Sequence, residues 1–175
     1  MFEIQPKNAQ AYRQQTRRST LIIAVIFLVL AMGLSTVAVA LFGEPGGDNL
    51  RFNVGGVFIA VLLMVALMRG KFWNQPWMEA AVYGWRLKRS LMSVTNIMHQ
   101  VTAAVETGDP AAMKLLRFYH LGLNQMHELD ANSSDHSQLV REMDQHKARM
   151  ETLGIDPDQT RLYPAWLDEM KQSSK

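Results

Sequence analysis

The chain of 175 residues contains no cysteine. Disulfide frameworks, thiolate zinc sites, iron–sulfur clusters and cysteine nucleophiles are therefore excluded together, and a reducing compartment fits. Also missing are a Gly-rich phosphate loop, an HExxH pair, a nucleophile elbow and an EF-hand loop. Charge of one sign is scarce: 18 Lys and Arg against 16 Asp and Glu leave +2, so the basic residues carry meaning only through where they sit. Aromatic residues interleaved with basic ones for base stacking are absent, which argues against a nucleic-acid partner. The length leaves room for one soluble unit at most once the apolar runs are set aside. The 12 methionines suit irregular helical cores better than soft-metal sites.

Two long apolar runs dominate what is present. Thr20 to Phe42 carries no charge for 23 residues; as a helix it spans about 34 Å against a hydrocarbon core of about 30 Å. Phe52 to Met68, 17 residues, reaches about 25 Å, the lower limit for a crossing. Arg69 and Lys71 can snorkel, and Phe72, Trp73 and Trp77 supply an aromatic belt where such a helix leaves a bilayer. Neither run holds an ionisable residue to mark an ion or proton path, which argues against a stand-alone transporter. Basic residues flank the runs unevenly. Lys7, Arg13, Arg17 and Arg18 precede the first, only Arg51 lies between them, and Arg69, Lys71, Arg86, Lys88 and Arg89 follow the second. By the positive-inside rule both ends lie in the cytoplasm. Thr16-Arg17-Arg18-Ser19 and Ala38-Val39-Ala40 resemble a twin-arginine signal and a cleavage site, but the apolar run is longer than the roughly 7 to 15 residues of a signal.

After Pro76, apolar or small residues recur at Trp77, Ala80, Gly84, Leu87, Leu91, Val94, Met98, Val101 and Val105 in steps of three and four, predicting one long helix to Thr107. Gly108-Asp109-Pro110 ends it and starts another, whose expected inner face is Ala112, Leu115, Leu116, Tyr119, Leu123, Met126 and Leu129. Asn132-Ser133-Ser134 breaks that helix and caps a third, carrying Leu139, Met143, His146, Met150 and Leu153 and closing at Gly154-Ile155 in a Schellman ending. A short helix from Pro164 to about Lys171 offers Trp166, Leu167 and Met170 for docking before a frayed Ser/Lys end.

The expected architecture is an all-α membrane protein. It comprises a basic cytoplasmic N-terminal tail over 1–19, transmembrane helices over 20–42 and 52–70, a short periplasmic loop over 43–51, an interfacial linker over 71–76 and a cytoplasmic helical domain over 77–172. The two crossing helices form a hairpin, and the domain is a three-helix bundle with a short C-terminal helix.

Candidate chemistry reduces to histidines and carboxylates on helices. Glu142 and His146 lie one turn apart, His120 and His127 two turns apart, and His99 and Glu106 likewise. A ferritin-like di-metal centre needs two Glu-x-x-His motifs, which are absent, so surface or hydrogen-bonded core histidines are the plainer reading. His146, at a core position between Met143 and Met150, is the best candidate ligand with Glu142. No cofactor is expected. Arg17, Arg18, Arg69, Lys71, Phe72, Trp73 and Trp77 are expected at the membrane interface. The long helix should outreach the two that fold back on it by roughly 15 Å. That would leave Trp77, Ala80 and Gly84 open to a second copy, with Gly56-x-x-x-Ala60 repeating the small-residue pattern in the second run.

The segments FEIQP…YRQQTRRSTLIIAVIF, GEPGGDNLRFNVGGV and PWMEAAVYGWRLKRSLM resemble a gammaproteobacterial family known only as domain of unknown function 3087. The resemblance implies an inner-membrane protein and assigns no activity or residue role. The functional expectation is a non-enzymatic, inner-membrane-anchored interaction or scaffold protein whose partners are membrane lipid and a second copy or another inner-membrane protein. Alternatives are a metal- or small-molecule-binding activity at His146 and Glu142, or an accessory subunit of a transporter or secretion complex.

Overall fold

Asn8 opens the first helix, its side-chain oxygen accepting from Ala11 N at 2.9 Å. The computed structural model describes residues 1–131 and 136–172, the side chains of 136 and 137 excepted. The expected Asn132-Ser133-Ser134 break and the Ser/Lys end at 173–175 lie outside the described residues. From Ala9 the chain continues as α1 (Ala9–Phe42), 34 residues and about 51 Å long. It outruns the apolar run because the polar residues ahead of Thr20 are mostly good helix formers. α2 (Leu50–Gly70) has 21 residues and reaches about 31 Å. Both helices are long and apolar enough to cross a membrane.

Two compact units emerge, Gln14–Val82 and Met1–Arg13 together with Tyr83–Lys175. In the first, α1 and α2 pack through small residues. Gly56, Ala60 and Met64 are the buried positions of α2, Ala31 is buried on α1, and Ser35 Oγ donates to Asn53 O at 3.0 Å. A Cβ on Gly56 would run into the backbone at Ser35 and Leu34, so glycine is required for this approach. Between the helices Asn49 closes a tight loop, its side chain accepting from Glu44 N and donating to Glu44 O. After α2, two short 3₁₀ turns (Phe72–Asn74 and Pro76–Met78) lead onward. The fully buried Ser19 hydroxyl lies within hydrogen-bonding reach of the Gln15 and Trp77 carbonyls, which fixes this stretch to α1.

The second unit holds α3 (Glu79–Thr95) from Tyr83 on, α4 (Met98–Glu106), α5 (Pro110–Asp130), α6 (His136–Thr152) and α7 (Pro164–Gln172). The long helix expected from Trp77 to Thr107 is broken at Asn96–Ile97. Ser93 and Thr95 donate to the carbonyls of Ser90 and Leu91, the side-chain competition that weakens helices. Burial nonetheless continues through Val94, Ile97, Val101 and Val105, so the apolar periodicity passes over the break. Asp109 caps α5 by accepting from Ala112 N at 2.7 Å, with Pro110 in the first turn. Gly154, at φ +68°, ends α6 with Ile155 N donating to Met150 O at 2.9 Å.

α5 lies at the centre, packed against α4, α6 and α7. Its main buried row is Ala112, Leu115, Phe118, Gly122, Gln125 and Leu129; Met113, Arg117 and His120 form a second. Leu116, Tyr119, Leu123 and Met126, expected inside, are only half-buried. The real row runs through a glycine and a glutamine that apolar counting passes over. A Cβ at Gly122 would meet Leu91, Leu87 and Ile4, and Gln125 is held by hydrogen bonds.

Residues 1–13 of the expected basic tail are folded into this unit. β1 (Phe2–Glu3) pairs antiparallel with β2 (Arg161–Leu162), Phe2 opposite Leu162. Ile4 N donates to Thr160 O at 2.8 Å, and Glu3 pairs with Arg161 at 2.9 Å. Phe2 stacks at an angle against Tyr83 and edge-on to Phe118. The Tyr83 hydroxyl accepts from Gln5 N at 3.0 Å and donates to Gln125 Oε1, while Gln125 Nε2 donates to Gln5 O. Arg13 reaches the Glu128 and Leu129 carbonyls at the C-terminal end of α5. Tyr12 fills the space at Gly84.

Tyr83→Phe leaves Gln125 and Gln5 with unmet hydrogen bonds and should cost about 1–3 kcal/mol. Glu3→Gln, which breaks only an exposed ion pair, should leave stability nearly unchanged. Thermal unfolding of the full chain in detergent checks both; equal effects would contradict the central place of the Tyr83 network.

Candidate functional site

α6 is polar on most of its surface and carries few large apolar residues toward its neighbours; Leu139, His146 and Met150 are its buried described positions. Where it crosses α4 and α5 it leaves a cavity of about 630 Å³. Met98 and Thr102 of α4, Leu116, Tyr119 and His120 of α5, and Glu142, Gln145, His146 and Arg149 of α6 line it. This volume is in the range of small-ligand sites.

Two imidazoles from different helices meet here edge to face, ring centroids 5.5 Å apart. His146 Nε2 lies 2.9 Å from Met113 O. A carbonyl can only accept, so Nε2 carries the proton and Nδ1 keeps its lone pair. His120 Nδ1 is buried without a hydrogen-bond partner, an arrangement that costs free energy unless something fills it. Burial lowers both pKa values. For His120 the effect, reinforced by His146 and Arg117, brings it down to about 4; for His146 the bond to Met113 works against it. Both rings are therefore neutral near pH 7. Behind them Arg117 is buried on α5 and clips α6 in place, donating to Met143 O at 3.2 Å and to Pro157 O at 3.0 Å. Arg149 donates to Glu106 O at the end of α4.

Glu142 and His146 share the cavity lining, yet Glu142 is exposed and bonded by Gln138. Among the described residues no group of three or more His, Cys, Asp and Glu is placed to hold a metal ion. His99 and Glu106 are both exposed, and His127 does not line the cavity. His120 is brought against His146 instead, a pairing between helices that spacing along one helix does not reveal. Arg117 and the Gln5–Tyr83–Gln125 cluster are likewise invisible to motif reading.

The residues expected to mediate self-association are largely used inside the chain. Gly84 receives Tyr12, Gly56 receives the Ser35 backbone, and Ala60 and Ala80 are buried. Trp77 is half-buried, its ring edge-on to Phe72 at 5.5 Å. Among the residues expected at a membrane interface, Arg17, Arg18, Arg69 and Lys71 are exposed, and Phe72 and Trp73 half-buried.

These features define an all-helical protein with two membrane-length apolar helices and a compact helical unit built from both ends of the chain. The chain belongs to the family described as protein of unknown function DUF3087, whose model matches residues 2–167. No curated protein and no solved structure matches it.

An unfolded chain protonates a histidine near pH 6.5, whereas folded His120 does so only near 4. The stability carried by neutral His120 is thus complete above about pH 6.5 and is lost as pH falls toward 4, a change on the order of 2–3 kcal/mol. Unfolding midpoints at about pH 7.5 and about pH 5 should differ more in the parent than in His120→Phe. An identical difference in both would show that His120 does not set this dependence.

Proposed function

We propose that the chain is an inner-membrane anchor and interaction module: α1 and α2 cross the bilayer as a hairpin, and the helical unit stands in the cytoplasm as the working part. One observation carries this reading. Residues ahead of the first apolar helix and residues after the second fold into a single unit, through β1–β2 pairing and the Gln5–Tyr83–Gln125 hydrogen bonds. Segments that share a core share a side of the membrane, so an even number of crossings is required between them. The uneven spread of basic residues, four before, one between and five after, supports the cytoplasm as that side. A scaffold or accessory-subunit role fits, with lipid and another membrane protein or a second copy as partners.

The cysteine-free chain is a ready background for testing this topology. Pro45→Cys should react with a membrane-impermeant maleimide added to intact cells stripped of their outer barrier. Gln10→Cys and Glu151→Cys should react only after the inner membrane is opened. Labelling of Gln10→Cys and Glu151→Cys from opposite sides would end the reading.

A second reading is favoured by the cavity and its unpartnered His120 Nδ1: the cytoplasmic unit binds a small molecule between α4, α5 and α6. Protein taken from native membranes in mild detergent should then carry an adduct of small-molecule mass in native mass spectrometry, lost in Leu116→Trp, which fills the space. No adduct in the parent, together with unchanged stability of Leu116→Trp, would remove the reading.

A further inference from the structure

We propose that the outer face of α3 carries a binding groove for the phosphate headgroup of an anionic phospholipid, a site that rests on the membrane-anchor reading and adds a specific lipid contact to it. The groove has a volume of about 230 Å³ and is lined by Phe2, Trp85, Arg86, Arg89, Ser90 and Ser93. That is room for a headgroup rather than a whole lipid. Its chemistry is one-sided. Two guanidiniums and two hydroxyls line it and no carboxylate does. Among the described residues neither arginine is paired with an acid, whereas Lys88, the neighbouring cation, is engaged with Asp130 at 3.1 Å. Arg fork geometry matches phosphate oxygens.

The walls are held before any ligand arrives. Phe2 is fixed by β-pairing with Leu162 and by its contacts to Tyr83 and Phe118. Arg89 lies over the Trp85 ring at 5.0 Å from its centroid, which orients the guanidinium at the groove. Ser93 donates to Ser90 O at 2.6 Å, leaving the Ser90 hydroxyl as the available donor.

Amphiphile rather than free phosphate follows from what flanks the cations. Trp85, 47% exposed, and Met92, 63% exposed, stand with Arg89 at i, i+4 and i+7 on one helix face. An indole beside arginines and an unburied thioether side chain suit the zone between headgroups and acyl chains. Nucleic acid fits less well, because successive bases need a row of free ring faces and Phe2 is already packed inside.

The test uses the full chain in neutral detergent, with native mass spectrometry to count retained lipid. Phosphatidylglycerol and phosphatidylcholine are added in parallel, with inorganic phosphate or a short single-stranded DNA as competitor. One phosphatidylglycerol should be retained in preference to phosphatidylcholine and survive both competitors. In Arg86→Gln/Arg89→Gln its affinity should fall roughly ten- to thirty-fold, while Arg69→Gln/Lys71→Gln, beside the apolar helix, keeps the specific lipid. Equal retention by the Arg86/Arg89 variant and the parent overturns the groove and leaves the anchor standing, since the chain still needs detergent. Displacement by inorganic phosphate or by DNA at concentrations comparable to the lipid overturns it in favour of those ligands. A chain that stays monodisperse with no detergent at all defeats the anchor reading itself.

Discussion

The fold depends on bringing the first few residues of the chain back to Tyr83 and Gln125. Those two side chains sit on α3 and α5 and are buried. Without Gln5, a phenol and an amide in the core would lack part of their hydrogen bonding, at a cost of about 1–3 kcal/mol for each unsatisfied group. Burial already raises the Tyr83 pKa from its usual 10, with the Gln5 and Gln125 hydrogen bonds acting against that shift, so the hydroxyl stays a donor. Gln5 supplies both a donor and an acceptor from its backbone, and the strand just ahead of it aligns Phe2 over Phe118. The same return places Ile4 at Gly122 and Tyr12 at Gly84. The constraint reaches into biosynthesis too: the N-terminal segment is made first, yet its partners follow more than seventy residues later in the chain, after both apolar helices.

What could be read from the residues divides along a physical line. The apolar helices and the all-helical class were legible because burial in hydrocarbon and burial in a bundle both write themselves as apolar letters at a regular spacing. Local chemistry was legible too: Gly108-Asp109-Pro110 and Gly154-Ile155 act through neighbours in the chain, and the expected caps appear there. The break at Asn96–Ile97 was not legible, because the turn preserves the apolar step. On α5, apolar counting points one position off, to Leu123 and Met126, where Gly122 and Gln125 are inside. A glycine is chosen for closeness and a glutamine for its partners, and neither purpose is visible until the partner helix is in place. The fold of the N-terminal segment is hidden for the same reason: FEIQP reads as a tail, and its role appears only in pairs 78 to 120 residues apart and in the pairing of Phe2 with Leu162.

The cavity and the groove arise from opposite features of the same unit. α5 is buried on two sides and so packs well, whereas α6 meets it with few large apolar side chains and leaves space around His120 and His146. Burial keeps the pair neutral, outweighing the pull of Glu142 toward protonation of His120, a state that suits hydrogen bonding rather than charge attraction. On α3, by contrast, Leu87, Leu91 and Val94 are buried on one face, while Arg86 and Arg89, paired with no acid among the described residues, are exposed. The cavity sets neutral imidazoles beside Glu142 and Arg149, whereas the groove presents two guanidiniums and no carboxylate, so the two differ in the chemistry they offer.

Two of the small-residue positions expected to face a second copy are occupied from within the chain. Gly56 and Gly84 permit close approach, but the approaching groups are Ser35 and Tyr12 of the same chain. Much of what α1 and α2 leave exposed is larger: Leu21, Val25, Leu28, Val29 and Met32 on one, Val54, Phe58, Leu62 and Val65 on the other, beside the small Gly33 and Gly55. Large flexible or branched side chains hold neighbouring backbones apart and pack readily with acyl chains, whereas helix association in a bilayer favours small residues. In the proposed anchor these faces are therefore surfaces for lipid, and any protein partner has more to recognise on the helical unit than on the hairpin. Charge on that unit lies on the exposed faces of several helices, Arg86 and Arg89 on α3, Glu142 and Lys147 on α6, and Asp168 and Glu169 on α7 among them, where it is not spent on the core.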